Sequence, residues 1–181
     1  MTALDRIIQR WRIQVARRYI PRDVRLLDIG SADGELLRLL GRVSNVGIDP
    51  LVEKPGQHAF GLLIRGDFPD DLAEATPFDA ITLLAVLEHV PSTAQPAFVQ
   101  SIARYLNPGG TVVLSVPSAR VDAILAVLRT LRLVHGMSLE QHYGFAAPST
   151  VPLFEAAGLR LAVHRKFEFG LNNIFVFTKA A

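Results

Sequence analysis

The sequence predicts an open α/β fold built on a mostly parallel sheet, and three features carry that expectation. Short apolar runs recur through the chain, and each is followed by an acidic or polar residue. Stretches with helical spacing separate them, which sets successive strands side by side and parallel. The last two runs are joined through Gly170-Leu171-Asn172, which closes an antiparallel hairpin at the end of the sheet.

Taken in order, residues 1–22 place Leu4, Ile7, Ile8, Trp11, Val15 and Tyr19 at helical spacing among Arg6, Arg10, Arg17 and Arg18, the pattern of an amphipathic helix docked on the domain. Residues 25–29 form the first strand, Gly30 and Gly34 open a loop, and residues 35–40 form a helix stopped by Gly41. Runs at 46–48, 62–64 and 78–85 read as further strands, with Asp49, Asp67 and Glu88 at or beyond their carboxyl ends. Between residues 92 and 106, Phe98, Ile102 and Leu106 share one helical face, and Asn107-Pro108-Gly109-Gly110 turns the chain into a strand at 111–116. A segment at 118–147 is expected over the substrate side. Its residues 121–134 form an inserted helix, apolar on most sides, that serves as a lid, a partner-binding or dimer interface, or a membrane-surface element. A helix at 150–157 closed by Gly158, and strands at 159–169 and 173–177, complete the chain.

Composition narrows the function classes. At 181 residues and 50% hydrophobic, residues 1–181 can bury one core and are too few for two ordinary domains. Cysteine is absent, which removes disulfides, thiolate zinc sites and cysteine nucleophiles and suits a reducing cytoplasm; no metal-ligand set is read. Net charge is +2, with seven arginines in the first 25 residues. No stretch has the length of a membrane span or the form of a signal peptide.

In an open α/β sheet, ligands sit beyond the carboxyl ends of the strands where the strand order reverses. Asp28, Gly30, Asp49, Asp67 and Glu88 all fall on that edge. The run Leu26-Leu27-Asp28-Ile29-Gly30-Ser31-Ala32-Asp33-Gly34 resembles the first motif of class I S-adenosylmethionine-dependent methyltransferases, with Ser31 and Ala32 standing where the family more often has Cys and Gly. Asp49, in Val46-Gly47-Ile48-Asp49-Pro50, lies 21 residues after Asp28, the distance at which a βαβ unit brings the next strand end alongside. Gly66-Asp67-Phe68, the run 78–90 ending Leu87-Glu88-His89-Val90, and Leu106-Asn107-Pro108-Gly109-Gly110 resemble the later motifs of the same family.

The resemblance implies a Rossmann-like three-layer αβα sandwich, with a seven-stranded sheet ending in an antiparallel hairpin, and S-adenosylmethionine as cofactor with S-adenosylhomocysteine as product. It assigns cofactor contacts to Asp28, Gly30, Ser31, Gly34, Asp49, Pro50, Asp67, Phe68, Leu84 and Glu88, with Asp49 taking the ribose hydroxyls and Asp67 the adenine amino group. Methyl transfer from a sulfonium needs alignment and exclusion of water, and a base only where the acceptor must lose a proton. His89 and His142 are the candidates for that base, and Tyr143 for substrate contact. Nicotinamide binding lacks its second glycine, since Ala32 stands there, and a phosphate loop lacks its Lys-Ser/Thr, since Glu35-Leu36 occupies the place. The strand ending in Leu84-Ala85-Val86 lacks the Asn-Pro-Pro-Tyr type of motif, which disfavours nucleic acid and leaves a small-molecule, glycan or lipid-linked acceptor. A homodimer and a non-catalytic S-adenosylmethionine-binding accessory protein are the alternatives left open.

Overall fold

The computed structural model describes residues 3–73, 76–118 and 147–181. Eight strands form one mixed sheet: β1 (Leu26–Ile29), β2 (Val46–Asp49), β3 (Gly56–His58), β4 (Gly61–Arg65), β5 (Phe78–Leu84), β6 (Leu106–Pro117), β7 (Leu159–Phe167) and β8 (Asn172–Lys179). Their order is β3-β4-β2-β1-β5-β6-β8-β7, so the winding reverses between β1 and β5. Strands β4, β2, β1, β5 and β6 run parallel, while β8 pairs antiparallel with both β6 and β7. The helices are α1 (Ala3–Arg17), α2 (Glu35–Leu40), α3 (Gln95–Tyr105) and α4 (Thr150–Ala156). The inserted helix at 121–134, with His142 and Tyr143, lies outside the described residues.

Two apolar clusters, one on each face of the sheet, make the three layers. On one face Phe98, Val99, Ile102 and Phe154, from α3 and α4, pack with Ile81, Leu83, Val112, Leu114 and Phe177. On the other, α1 and α2 bring Ile13, Ala16, Leu36 and Leu37 against Leu26, Ala80, Val113, Ile174 and Val176. Covered on both faces, β1 is buried at all four positions, so its sequence reads as an apolar run and not an alternation.

Three details differ from the sequence reading. The sheet has eight strands, not seven, because Gly56-Gln57-His58 pairs antiparallel with β4 at the edge. A polar three-residue edge strand carries no apolar periodicity to announce it. The glycine turn before β6 is absorbed into the strand, whose register against β5 jumps from Phe78↔Leu106 to Ala80↔Thr111. Finally, α1 buries Ile13 and Ala16, and the turn after it Ile20, while Ile7 and Trp11 stay exposed, Trp11 meeting the Phe169 ring edge-on at 5.8 Å. The expected stripe followed the largest apolar side chains, whereas close seating on the sheet selected the small Ala16 at the centre of the contact.

Candidate functional site

The loop after β1 is built from backbone hydrogen bonds that seat it on β2. The Gly30 N–H donates to the Ile48 carbonyl at 2.9 Å, and the Gly34 N–H to the Ser31 carbonyl at 2.8 Å. Gly30 and Gly34 take φ of +75° and +77°, and Ala32 takes +47°, a left-handed conformation that costs an alanine about 1 kcal/mol. The Ala32 departure from the family pattern is thus accommodated at the cost of local strain. Gly47 supplies the space beneath: a β-carbon there would stand 2.7 Å from the Ser31 hydroxyl oxygen.

The Asp49 carboxylate is fixed from both sides. Its Oδ2 accepts from the Ala32 N–H at 3.0 Å and its Oδ1 from the Leu51 N–H at 2.7 Å, which leaves remaining lone pairs for a diol. Asp28 lies deeper, 4% exposed, with Oδ1 accepting from the Thr82 hydroxyl at 2.6 Å. Burial pushes the Asp28 carboxyl up to about 7, the Thr82 bond working against the shift and the charge of Asp49 with it.

A cavity of about 800 Å³ opens where the strand order reverses. Gly30, Asp49, Pro50, Asp67, Phe68, Leu84 and His89 of the predicted set line it. Ala94, which caps α3, and Ala97 and Ser101 of α3 form a wall that the sequence reading did not assign. Phe68, 9% exposed, is packed edge-on against Phe98 at 5.3 Å and Tyr105 at 5.7 Å, so its ring braces that wall. Asp28, Ser31 and Gly34 sit beneath or behind the loop and shape it without lining the cavity.

Glu88 departs from its expected role. It is 2% exposed, does not line the cavity, and its Oε2 has no hydrogen-bond partner among the described residues, whereas the neighbouring His89 does face the cavity. The cause is the single 3₁₀ turn Leu87–His89, which sends consecutive side chains to different sides. Gln95 braces that turn, its Nε2 donating to the Val90 carbonyl at 3.0 Å. Burial pushes Glu88 up to about 7, its own backbone N–H and the charge of Arg12 opposing the shift.

A stability prediction follows from that shift. The folded chain keeps a proton on Glu88 that the unfolded chain releases from about pH 4.5 upward, so this carboxyl destabilises the fold progressively as pH rises towards 7. Glu88→Gln, which stays neutral, is expected to match wild type near pH 4.5 and exceed it by up to about 3 kcal/mol near pH 8 in ligand-free melting curves. Parallel curves across that range would show an ionised Glu88 already satisfied in the fold.

A smaller cavity of about 290 Å³ lies beyond α2, lined by Asp33, Arg38, Glu53, Lys54 and His58 among others. It shares no residue with the larger one.

Fold and cavity together define an open, doubly wound α/β domain with a cavity at the reversal of strand order, where such folds bind ligands, and a glycine loop at its margin. The chain belongs to the methyltransferase-domain family, whose profile matches residues 3–164. It is 33% identical over 164 residues to a ubiquinone biosynthesis O-methyltransferase of Xanthomonas campestris, an alignment covering 82% of this chain and 65% of that relative. A protein of the same description from Dechloromonas aromatica is 36% identical over 126 residues, covering 61% of this chain and 53% of its own length. This chain thus spans about two thirds or less of those relatives. Among solved structures, Burkholderia thailandensis 1,6-didemethyltoxoflavin-N1-methyltransferase, with 1,6-didemethyltoxoflavin and S-adenosylhomocysteine bound, superposes with a TM-score of 0.69 at 18% identity. That superposition covers 95% of this chain and 78% of the other. Magnesium protoporphyrin IX methyltransferase from Synechocystis, with S-adenosylhomocysteine bound, gives 0.69 at 14% identity over 99% and 89%. Both likenesses show the fold. Among the described residues, no helix is long and apolar enough to cross a membrane.

Proposed function

We propose that this chain binds S-adenosylmethionine in the large cavity and transfers its methyl group to a hydroxyl of a small-molecule acceptor. The observation that carries the reading is Asp49: a carboxylate held by two backbone N–H groups at the end of β2, facing a cavity that Gly30 also lines. That arrangement suits a ribose, whose adjacent hydroxyls can both donate to one carboxylate. The choice of a hydroxyl draws on the O-methyltransferase relative; the choice of a small molecule draws on the same relative and on the toxoflavin enzyme.

When bound, S-adenosylmethionine supplies a methyl group already activated by the sulfonium charge. The residues around it bind, orient and exclude water. Gly30 lets the loop pass close to the ligand, Asp49 fixes the ribose, and Asp67 stands at the end of β4 for the adenine amino group. Leu84, Ala85 and Val86 form an apolar wall at the carboxyl end of β5, and His89 beyond them takes the acceptor's proton.

Calorimetry with S-adenosylhomocysteine tests the reading directly. Binding should be tight enough to raise the melting temperature, NAD should give no shift, and Asp49→Ala should weaken binding by about 1.5 to 3 kcal/mol. An affinity unchanged by Asp49→Ala would place the ribose elsewhere. Turnover of labelled S-adenosylmethionine against a metabolite extract then identifies the acceptor, and binding without turnover would favour a non-catalytic accessory protein.

A further inference from the structure

Beside the cofactor cavity lies a second set of polar groups for which the proposed chemistry has no use. Glu88 turns away from the cavity, and Glu168 occupies the 3₁₀ turn Glu168–Gly170 between β7 and β8. That turn stands at the carboxyl edge of β6, where Pro117 pairs with Asn172 and the Ser118 N–H donates to the Leu171 carbonyl at 2.8 Å. Arg12 lies next to Trp11 on α1, whose ring meets Phe169 of the same hairpin turn edge-on at 5.8 Å, and the charge of Arg12 lowers both carboxyls against the effect of burial. Each of the three has a buried atom without a hydrogen-bond partner among the described residues: Arg12 Nε, Glu88 Oε2 and Glu168 Oε1. The Ser115 and Ser118 hydroxyls at the end of β6 are in the same condition. One unsatisfied buried group is an ordinary irregularity, but five along one strand edge need a partner that the described residues do not supply.

The hairpin turn is strained in a way that maintains this arrangement. Glu168 and Phe169 are consecutive non-glycine residues at φ of +49° and +56°. Their conformation drives the Glu168 carboxylate inward to 7% exposure and leaves the Phe169 ring outside at 90%. Asn172 Nδ2 donates to Glu168 Oε2, which fixes the carboxylate and leaves Oε1 for another donor. Strain that buries a charged group and exposes an apolar one opposes both solvation preferences, and such outliers concentrate at binding sites.

We propose that Arg12, Glu88 and Glu168 form the subsite for the acceptor's polar head, and that it selects an uncharged or cationic hydrogen-bond donor over a carboxylate. The inference rests on the reading of the neighbouring cavity as the methyl-donor site. Two carboxylates against one guanidinium leave an excess of negative charge when both are ionised. A phenol, alcohol or amine donates to the open carboxylate oxygens, whereas a ligand carboxylate adds a third anion to a desolvated site. The subsite adjoins the donor because His89 and Glu88 are consecutive, one facing the cavity and the other the cluster.

The test compares three probes, catechol, tyramine and 3,4-dihydroxybenzoate, by ligand-observed NMR titration at pH 8 with S-adenosylhomocysteine saturating. Catechol and tyramine are expected to bind at least about tenfold more tightly than the carboxylated probe. Glu88→Gln and Glu168→Gln should each shrink that preference to about threefold or less, and Arg12→Gln should widen it, all with unchanged S-adenosylhomocysteine affinity. Opposite shifts from the acidic and basic variants are what a merely structural cluster would not produce. Equal or tighter binding of 3,4-dihydroxybenzoate, no binding of any probe at millimolar concentration, or a preference untouched by the variants overturns the proposal. Should a variant fail to fold, the preference of the wild-type chain decides. Failure of S-adenosylhomocysteine itself to bind overturns the donor-site reading instead.

Discussion

Gly30→Val is expected to remove measurable S-adenosylhomocysteine binding while leaving a cooperative, less stable fold. Gly30 holds φ of +75°, where a β-branched side chain is a true outlier, and an added β-carbon would stand 2.3 Å from Val86 Cγ2. Val86 is itself a wall of the cavity, so it can yield only by turning into the space the cofactor needs. The alternative is withdrawal of the loop, which breaks the Gly30 bond to Ile48 and the Ala32 bond to Asp49 together. Either route damages the site. Gly30→Ala combined with Val86→Ala removes the clash and keeps only the backbone strain, so it should recover part of the affinity. Calorimetry showing Gly30→Val within about threefold of wild type would move the cofactor away from this loop.

The second large effect is expected on turnover. His89 lines the cavity just beyond the end of β5, next to the apolar wall of Leu84, Ala85 and Val86. With a hydroxyl acceptor whose proton must leave, His89→Ala should lower kcat on the order of a hundredfold to ten-thousandfold with little change in S-adenosylhomocysteine affinity. A loss of only a few-fold would mean that alignment and desolvation carry the rate. The cavity also provides an internal contrast. Ser101→Ala, on the α3 wall, alters its lining without touching proton transfer and should leave kcat within about twofold.

The cavity at the strand ends was legible in the sequence because parallel strands buried on both faces leave simple apolar runs, and the polar groups and glycines that line it lie just past their ends. Gly30, Asp49, Asp67 and His89 were found that way, and all line one cavity. What the sequence concealed depends on register and on side-chain direction. Thr82 looks like one polar residue within an apolar strand, and only its pairing with Asp28 across β1 and β5 reveals why it is there. Glu88 and His89 form one motif in sequence, yet the 3₁₀ turn gives them separate environments. Arg12 was indistinguishable from the six other arginines near the start of the chain until α1 was seated on the sheet. Glu168 belongs to a turn whose left-handed residues are not glycine, and nothing in Glu-Phe signals such a conformation.

The seating of α1 bears on how the protein assembles during synthesis. Ile13 and Ala16 share a cluster with Leu26, Ala80 and Val113, but also with Ile174 and Val176 of β8, the last strand of the sheet to leave the ribosome. At roughly 5 to 20 residues per second, the emerging helix waits on the order of ten to thirty seconds for the surface that completes its burial. During that interval its apolar face is a hazard for premature association. Arg6, Arg10, Arg17 and Arg18, all exposed in the finished fold, give the nascent helix a charge that keeps such segments apart. The arginines that suggest a binding patch on first reading thus have a second use, as gatekeepers of a helix made long before its last partner.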